Sequence, residues 1–185
     1  MENRTNLTNL INLLNAGFHG GAWHGPSLLE LTKGIKVKAA AYKPGDIHNI
    51  AELIYHITSW RLFALKKIQG DAVYNIDNEK MNFGDIQKVD EFELETLMME
   101  LTLSQDELTR ALETKDDSFL NEIVPGAEYT FDTLLHGIIQ HDVYHSGQIS
   151  IIRKLASKAS KFGDDDDIMQ ASRFYDRNNL ESDFY

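Results

Sequence analysis

The 185-residue chain contains no cysteine. This excludes a disulfide framework, a cysteine nucleophile and a thiolate metal site, including the all-cysteine zinc sites of many small domains. Any metal site must therefore be built from His, Asp and Glu side chains. The lack of cysteine also fits a reducing cytoplasm.

Basic residues are few, with 18 Lys and Arg against 29 Asp and Glu and a net charge of −11. Proteins that bind nucleic acid gain much of their affinity from Lys and Arg on phosphates, so we expect no nucleic-acid partner. The chain also lacks the run of about 20 apolar residues that spans a membrane. Its first 18 residues lack the apolar core of a signal peptide. We therefore expect a soluble, cytoplasmic protein that does not bind membranes.

Four segments have apolar residues at the spacing of amphipathic helices. Pro26 is placed to open an additional short helix that ends near Thr32, and residues 71–89 are assigned no regular element. Because no segment shows the alternation of a strand, the pattern predicts an all-α protein, an antiparallel four-helix bundle. The four segments are residues 5–18, 47–69, 90–114 and 130–158.

The composition changes near the C-terminus, where four consecutive aspartates, residues 164–167, follow Gly163. They lack the alternating ligands and central glycine of a calcium-binding EF-hand loop, and such a run is typical of a solvated segment. We therefore divide the chain into a helical domain of residues 1–158 and an acidic tail of residues 159–185, which is either flexible or docked.

Two histidines, His141 and His145, lie four residues apart in the last helical segment, so both rings leave the same side of the helix. They fall within a sector of about 100° that is otherwise mostly apolar. Burying two imidazoles is costly unless their nitrogens are satisfied. A metal ion bound by both would satisfy them; hydrogen bonds to neighbouring helices are the alternative.

A third histidine, His56, borders the apolar stripe of the second long segment, between Leu53 and Trp60. Adjacent helices of a bundle bring facing side chains close enough to share an ion. Three histidines with open coordination positions match the ligand count of a catalytic zinc-type site. We expect one divalent ion, zinc or nickel, with manganese or iron as alternatives because ligand type alone does not settle the metal.

Two polar residues near this predicted site are candidates for supporting or catalytic roles. Gln148, one turn beyond His145, is placed to hydrogen-bond a metal-bound water. Glu52, one turn before His56, is a candidate to orient that ring, because ligating imidazoles commonly donate their second N–H to a carboxylate; an exposed glutamate is the alternative. His136 lies on the opposite side of its helix and cannot share the ion.

Two other kinds of metal site fit the sequence poorly. The run HDVYH resembles the metalloprotease motif HExxH, in which Glu is the general base. Asp142 occupies that position here and is one methylene shorter, which argues against proteolysis. A ferritin-like di-iron site needs Glu-x-x-His on two helices, and that tetrapeptide does not occur in the chain.

Longer segments around the histidines resemble the DinB/YfiT-like superfamily of metal-dependent enzymes. The resemblance is carried by AELIYHITSW, by LLHGIIQHDVYHSGQISIIRKL and by the upstream run GAWHGPSLLELTKG. It implies a four-helix bundle that binds one divalent metal through a histidine triad. The matching positions in this chain are His56, His141 and His145.

The resemblance also implies a range of activities. Some relatives are transferases or isomerases that use low-molecular-weight thiols such as bacillithiol or mycothiol, many have no known reaction, and members are often dimeric. We therefore expect a metal-dependent enzyme that activates a thiol or water for transfer or hydrolysis on a small substrate, and a homodimer. A metal-stabilised binding or stress-response domain without turnover is one alternative. A structural bundle with hydrogen-bonded core histidines is another.

Overall fold

The computed structural model describes residues 4–161, and in this range the chain is helical. Four helices have 15 or more residues, and three short helices and a 3-10 helix lie in their connections. The prediction of an all-α protein is confirmed. The helices are α1 (Thr5–His19), α2 (Leu28–Thr32), α3 (Val37–Ala40), α4 (Ile50–Ile68), α5 (Glu79–Phe83), α6 (Glu91–Glu113) and α7 (Phe131–Lys161), and the 3-10 helix is Asp117–Asn121.

The four long helices, α1, α4, α6 and α7, occupy the four segments predicted from the sequence. The described residues contain seven α-helices because three short ones lie between the long ones. Helix α2 was predicted, α5 lies in the segment that was assigned no regular element, and α3 lies where no helix was predicted. Helix α5 begins where the side chain of Asn78 accepts a hydrogen bond from the backbone N–H of Met81 at 2.9 Å. Such a cap satisfies a free N–H group of the first turn.

Helix α4 begins at Ile50 rather than at residue 47 because Asn49 and Glu52 form a capping box. The Asn49 side chain accepts from the backbone N–H of Glu52 at 2.9 Å, and the Glu52 carboxylate accepts from the backbone N–H of Asn49 at 2.8 Å. These reciprocal bonds fix the start of the helix that carries His56.

Helix α7 begins after Thr130, whose hydroxyl accepts from the backbone N–H of Thr133 at 3.4 Å. It continues to Lys161, past the predicted end at residue 158. Residues 162–185, most of the predicted acidic tail, lie outside the described residues. No helix within residues 4–161 combines the length and the apolar character needed to cross a membrane.

Two clusters of buried apolar side chains form the core. One joins α1 to the second halves of α4 and α6 and to the first half of α7. The other joins the first halves of α4 and α6 to the second half of α7. Helices α4, α6 and α7 each contribute to both clusters, and each therefore has a short interval of sequence between the part in one cluster and the part in the other.

A polar layer occupies that interval and takes one side chain from each long helix: Asn15, Arg61, Gln105 and Asp142. The Arg61 guanidinium donates to the Gln105 side-chain oxygen at 2.7 Å and to the Asp142 carboxylate at 2.6 Å. The Gln105 amide donates in turn to the side-chain oxygen of Asn15 at 2.9 Å. Arg61 is 1% exposed, so its charge depends on these partners.

We expect Arg61→Ala to lower the free energy of unfolding by about 3–5 kcal/mol, because it leaves the Asp142 carboxyl buried without its cation. Burial already raises the pKa of Asp142, and Arg61 opposes that rise. Urea denaturation measures the change. As a control, Lys88→Ala removes the exposed partner of Asp90 and is expected to cost less than about 1 kcal/mol. An equally small loss for Arg61→Ala would contradict this account.

Candidate metal centre

The structure brings the three predicted histidines together beside the polar layer. His56 extends from α4, and His141 and His145 extend from successive turns of α7. The Nε2 atom of His56 lies 2.9 Å from that of His141 and 3.1 Å from that of His145. His56 is 6% exposed and His145 is 7% exposed. One nitrogen from each ring thus faces a shared point.

In His56 and His145 the outer nitrogen, Nδ1, faces away from the shared point. Its hydrogen-bond partner determines which nitrogen of the ring carries the proton. The Nδ1 atom of His56 is 3.0 Å from the backbone carbonyl oxygen of Asn82, which can only accept. The Nδ1 atom of His145 is 2.6 Å from the side-chain oxygen of Gln148. Both rings therefore carry the proton on Nδ1 when neutral, and their Nε2 atoms present lone pairs.

These lone pairs leave the centre of the cluster short of protons. His141 can supply one proton through its own Nε2, but the contact between His56 and His145 then still joins two acceptors. In addition, the buried Nδ1 of His141 has no hydrogen-bond partner among residues 4–161. A cation shared by the three Nε2 atoms resolves the conflict. The triad is therefore a group that can hold a metal ion, with the donor type that zinc, nickel and related ions accept.

The rings are also held in the neutral form that metal binding requires. Burial lowers the pKa of His56 to about 4 and the pKa of His141 to about 3, with the neighbouring histidines adding to the effect. Burial likewise lowers the pKa of His145. Protons therefore compete weakly with a metal ion for these nitrogens near neutral pH.

Helix α5 supplies contacts to the centre that no motif in the sequence predicts. The Phe83 ring stacks on His56 with ring centroids 4.2 Å apart, and on His48 with centroids 3.6 Å apart. The Asn82 side-chain oxygen accepts from the indole N–H of Trp60 at 3.2 Å. Residues 79–83 therefore help to position the His56 ring. The capping residue Asn78 is the sequence signal that could have indicated this helix.

The two polar residues proposed to support the site have different roles in the structure. Gln148 contacts the outer nitrogen of His145 and so fixes the proton of that ring. Glu52 does not orient His56: its carboxylate caps α4 and lies 2.7 Å from the Lys43 amine and 3.3 Å from His48 Nδ1. The Asn82 carbonyl takes the place expected for Glu52, because the Glu52 carboxylate is engaged by the cap of α4, by Lys43 and by His48.

Two cavities adjoin the triad. The first, here called the His145 cavity, has a volume of about 420 Å³ and is lined by His145, Gln148, His48 and Phe83 among others. The second, here called the His141 groove, has a volume of about 280 Å³ and includes the ring of His141. Two different histidines of the triad thus line two different cavities.

Comparison with known proteins agrees with this arrangement. The sequence model of the DinB superfamily matches residues 23–149, a range that includes all three histidines. An uncharacterised protein of Bacillus subtilis (strain 168), YizA, is 30% identical over 115 residues, which cover 58% of this chain and 64% of that protein, less than two thirds of its length. No solved structure matches the chain. The match over residues 23–149 shows that the chain belongs to the DinB superfamily.

Proposed function

We propose that this protein is a metalloenzyme of the DinB type, in which four long helices form an antiparallel bundle around one divalent ion held by His56, His141 and His145. Zinc or nickel fits the three imidazole donors best, with manganese and iron as alternatives. The observation that carries the proposal is the pair of Nε2 lone pairs of His56 and His145, which face each other at 3.1 Å with no proton to share.

A divalent ion at such a site would lower the pKa of a thiol or water and provide a nucleophile at neutral pH. The protein residues serve the reaction by holding protons at fixed positions. Asn82 and Gln148 keep protons on the outer nitrogens of His56 and His145, so the inner nitrogens stay free. The His145 cavity and the His141 groove supply space for small molecules beside the triad.

We favour thiol transfer over hydrolysis because two separate cavities adjoin the triad. In such a transfer the thiol proton passes to solvent and the sulfur forms a bond to an electrophilic carbon. The bond from that carbon to its leaving group breaks, and the leaving group keeps the electron pair. The thiol and the electrophile are both small molecules.

For the oligomeric state, we propose that the enzyme is a homodimer.

A second candidate is a metal-stabilised binding domain without turnover. It is favoured by the composition of the cluster, which in residues 4–161 consists of three histidines without a carboxylate. Asp142, the carboxylate next to His141 in sequence, is buried and paired with Arg61. A general base beside the triad is thus not provided by either Asp142 or Glu52.

We expect His145→Ala to abolish the binding of one divalent ion per chain. Zinc or nickel at 100 times its dissociation constant should stabilise the wild-type protein by about 2.7 kcal/mol and raise its melting temperature. Elemental analysis and thermal unfolding measure both effects. The matched control is His136→Ala, because His136 is an exposed histidine of the same helix and should leave both results unchanged. Equal metal content in the two variants would contradict the proposed site.

Turnover separates the two candidate functions. Metal-loaded protein incubated with a low-molecular-weight thiol and 1-chloro-2,4-dinitrobenzene should form the thioether faster than the buffer control, with saturation in both reactants. His56→Ala should return the rate to that of the control, and His136→Ala should not. If several thiols and electrophiles give no metal-dependent conversion while one ion is bound, the binding domain is the better description.

The stability of the metal-free protein should fall in acid. The unfolded chain has histidine pKa values near 6.5, whereas those of folded His56 and His141 are about 4 and about 3. The unfolded state therefore binds more protons below pH 6.5, so the free energy of unfolding decreases as the pH is lowered from 6.5 toward 4. Denaturation at several pH values measures this slope. His141→Gln should flatten it and His136→Gln should not; parallel slopes in all three proteins would contradict the assigned shifts.

A further inference from the structure

The His141 groove has aromatic walls and no formally charged lining residue. It is formed by Trp60 of α4, by Tyr129, and by side chains of the first part of α7 that include Thr133, Ile138 and His141. Tyr129 is partly exposed, at 38%. The groove therefore offers little to a charged or strongly polar group.

The indole of Trp60 can offer a ligand only apolar contact. Its N–H donates to the Asn82 side-chain oxygen, so it has no free hydrogen-bond donor. The ring also lies near the triad, with its centroid 5.8 Å from that of His141 and 6.4 Å from that of His56. A flat apolar group placed against Trp60 would gain stacking and lie beside the triad.

A glycine of α7 provides part of the space. Gly137 lines the groove, and a methyl group added at its Cα would meet no atom within 4 Å. Apolar cavities of about 150 Å³ bind benzene in other proteins, and the groove has about 280 Å³. The volume is therefore sufficient for a ring that carries a substituent.

The His145 cavity differs in its chemistry, because Asp46, His48 and Gln148 are among its lining residues. The two cavities thus suit two different molecules, or two parts of one. We propose that the His141 groove binds the aromatic ring of an electrophilic substrate, with Trp60 and Gly137 as its specificity-determining residues. The role of the ring as a substrate rests on the proposed function, whereas its binding does not require the metal.

The test uses the fluorescence of Trp60 in the full-length chain. Trp23 is the second of the two tryptophans and is fully exposed, so Trp23→Phe leaves a protein whose indole emission comes from Trp60. Nitrobenzene, a neutral aromatic quencher, is titrated into the metal-free protein. We expect quenching that saturates, since a bound ring contacts the indole.

Two leucine substitutions in the Trp23→Phe background supply the matched comparison. Gly137→Leu fills the groove, whereas Gly147→Leu adds the same side chain at another exposed position of α7 with open space around it. Both remove a helical glycine, so both should fold and melt at or above the parent temperature. We expect Gly137→Leu to weaken nitrobenzene binding at least tenfold and Gly147→Leu to leave it unchanged.

Quenching that rises linearly without saturation, or saturable binding that survives Gly137→Leu, would overturn the proposal. So would the absence of binding in the full-length chain, which would mean that the groove is covered by another segment or does not accept rings. The metal content of each variant is measured separately. If the Trp23→Phe protein takes up metal normally but does not bind the ring, this inference alone is contradicted. If it binds the ring but takes up no metal, only the proposed metalloenzyme is contradicted.

Discussion

The buried guanidinium of Arg61 is the constraint on which the arrangement of the long helices depends. A charge that is 1% exposed is stable only where its partners are in place. Those partners come from α6 and α7, and the amide of Gln105 extends the contacts to α1. Since Asp142 is the neighbour of His141 in sequence, the same ion pair also fixes the turn of α7 that carries His141. The polar layer therefore sets where the histidines meet.

The metal centre follows from that placement and from the outer nitrogens of its rings. A backbone carbonyl at Asn82 and a side-chain amide at Gln148 hold protons away from the centre. Burial keeps the rings neutral, so the Nε2 lone pairs of His56 and His145 face each other at the centre of the triad. This arrangement of unpaired acceptors costs stability unless a cation is bound. A local cost of this kind is typical of sites whose geometry serves binding more than folding. The two adjoining cavities give small molecules access to His145 and His141.

The sequence predicted the residues whose signals are periodic. The spacing of His141 and His145 on an apolar face, and the position of His56 beside another apolar stripe, were sufficient to predict the triad. The contacts from α5 could not be predicted, because the Asn82 contact is a backbone carbonyl, which every residue has, and because a helix of five residues has no measurable periodicity. The spacing of Glu52 made it only a candidate to orient His56, with an exposed glutamate as the alternative, and in the structure the capping box of α4 and Lys43 engage its carboxylate.

X-ray absorption spectroscopy of the zinc-loaded protein tests the central claim most directly. The account predicts a first shell of three imidazole nitrogens at about 2.0–2.1 Å with one further oxygen or nitrogen, and the outer-shell scattering of three rings. In His56→Ala, which removes one of the three donors, this three-ring signature should be lost. A first shell dominated by oxygen, or a wild-type spectrum identical to that of His56→Ala, would show that the ion binds elsewhere and would contradict the account.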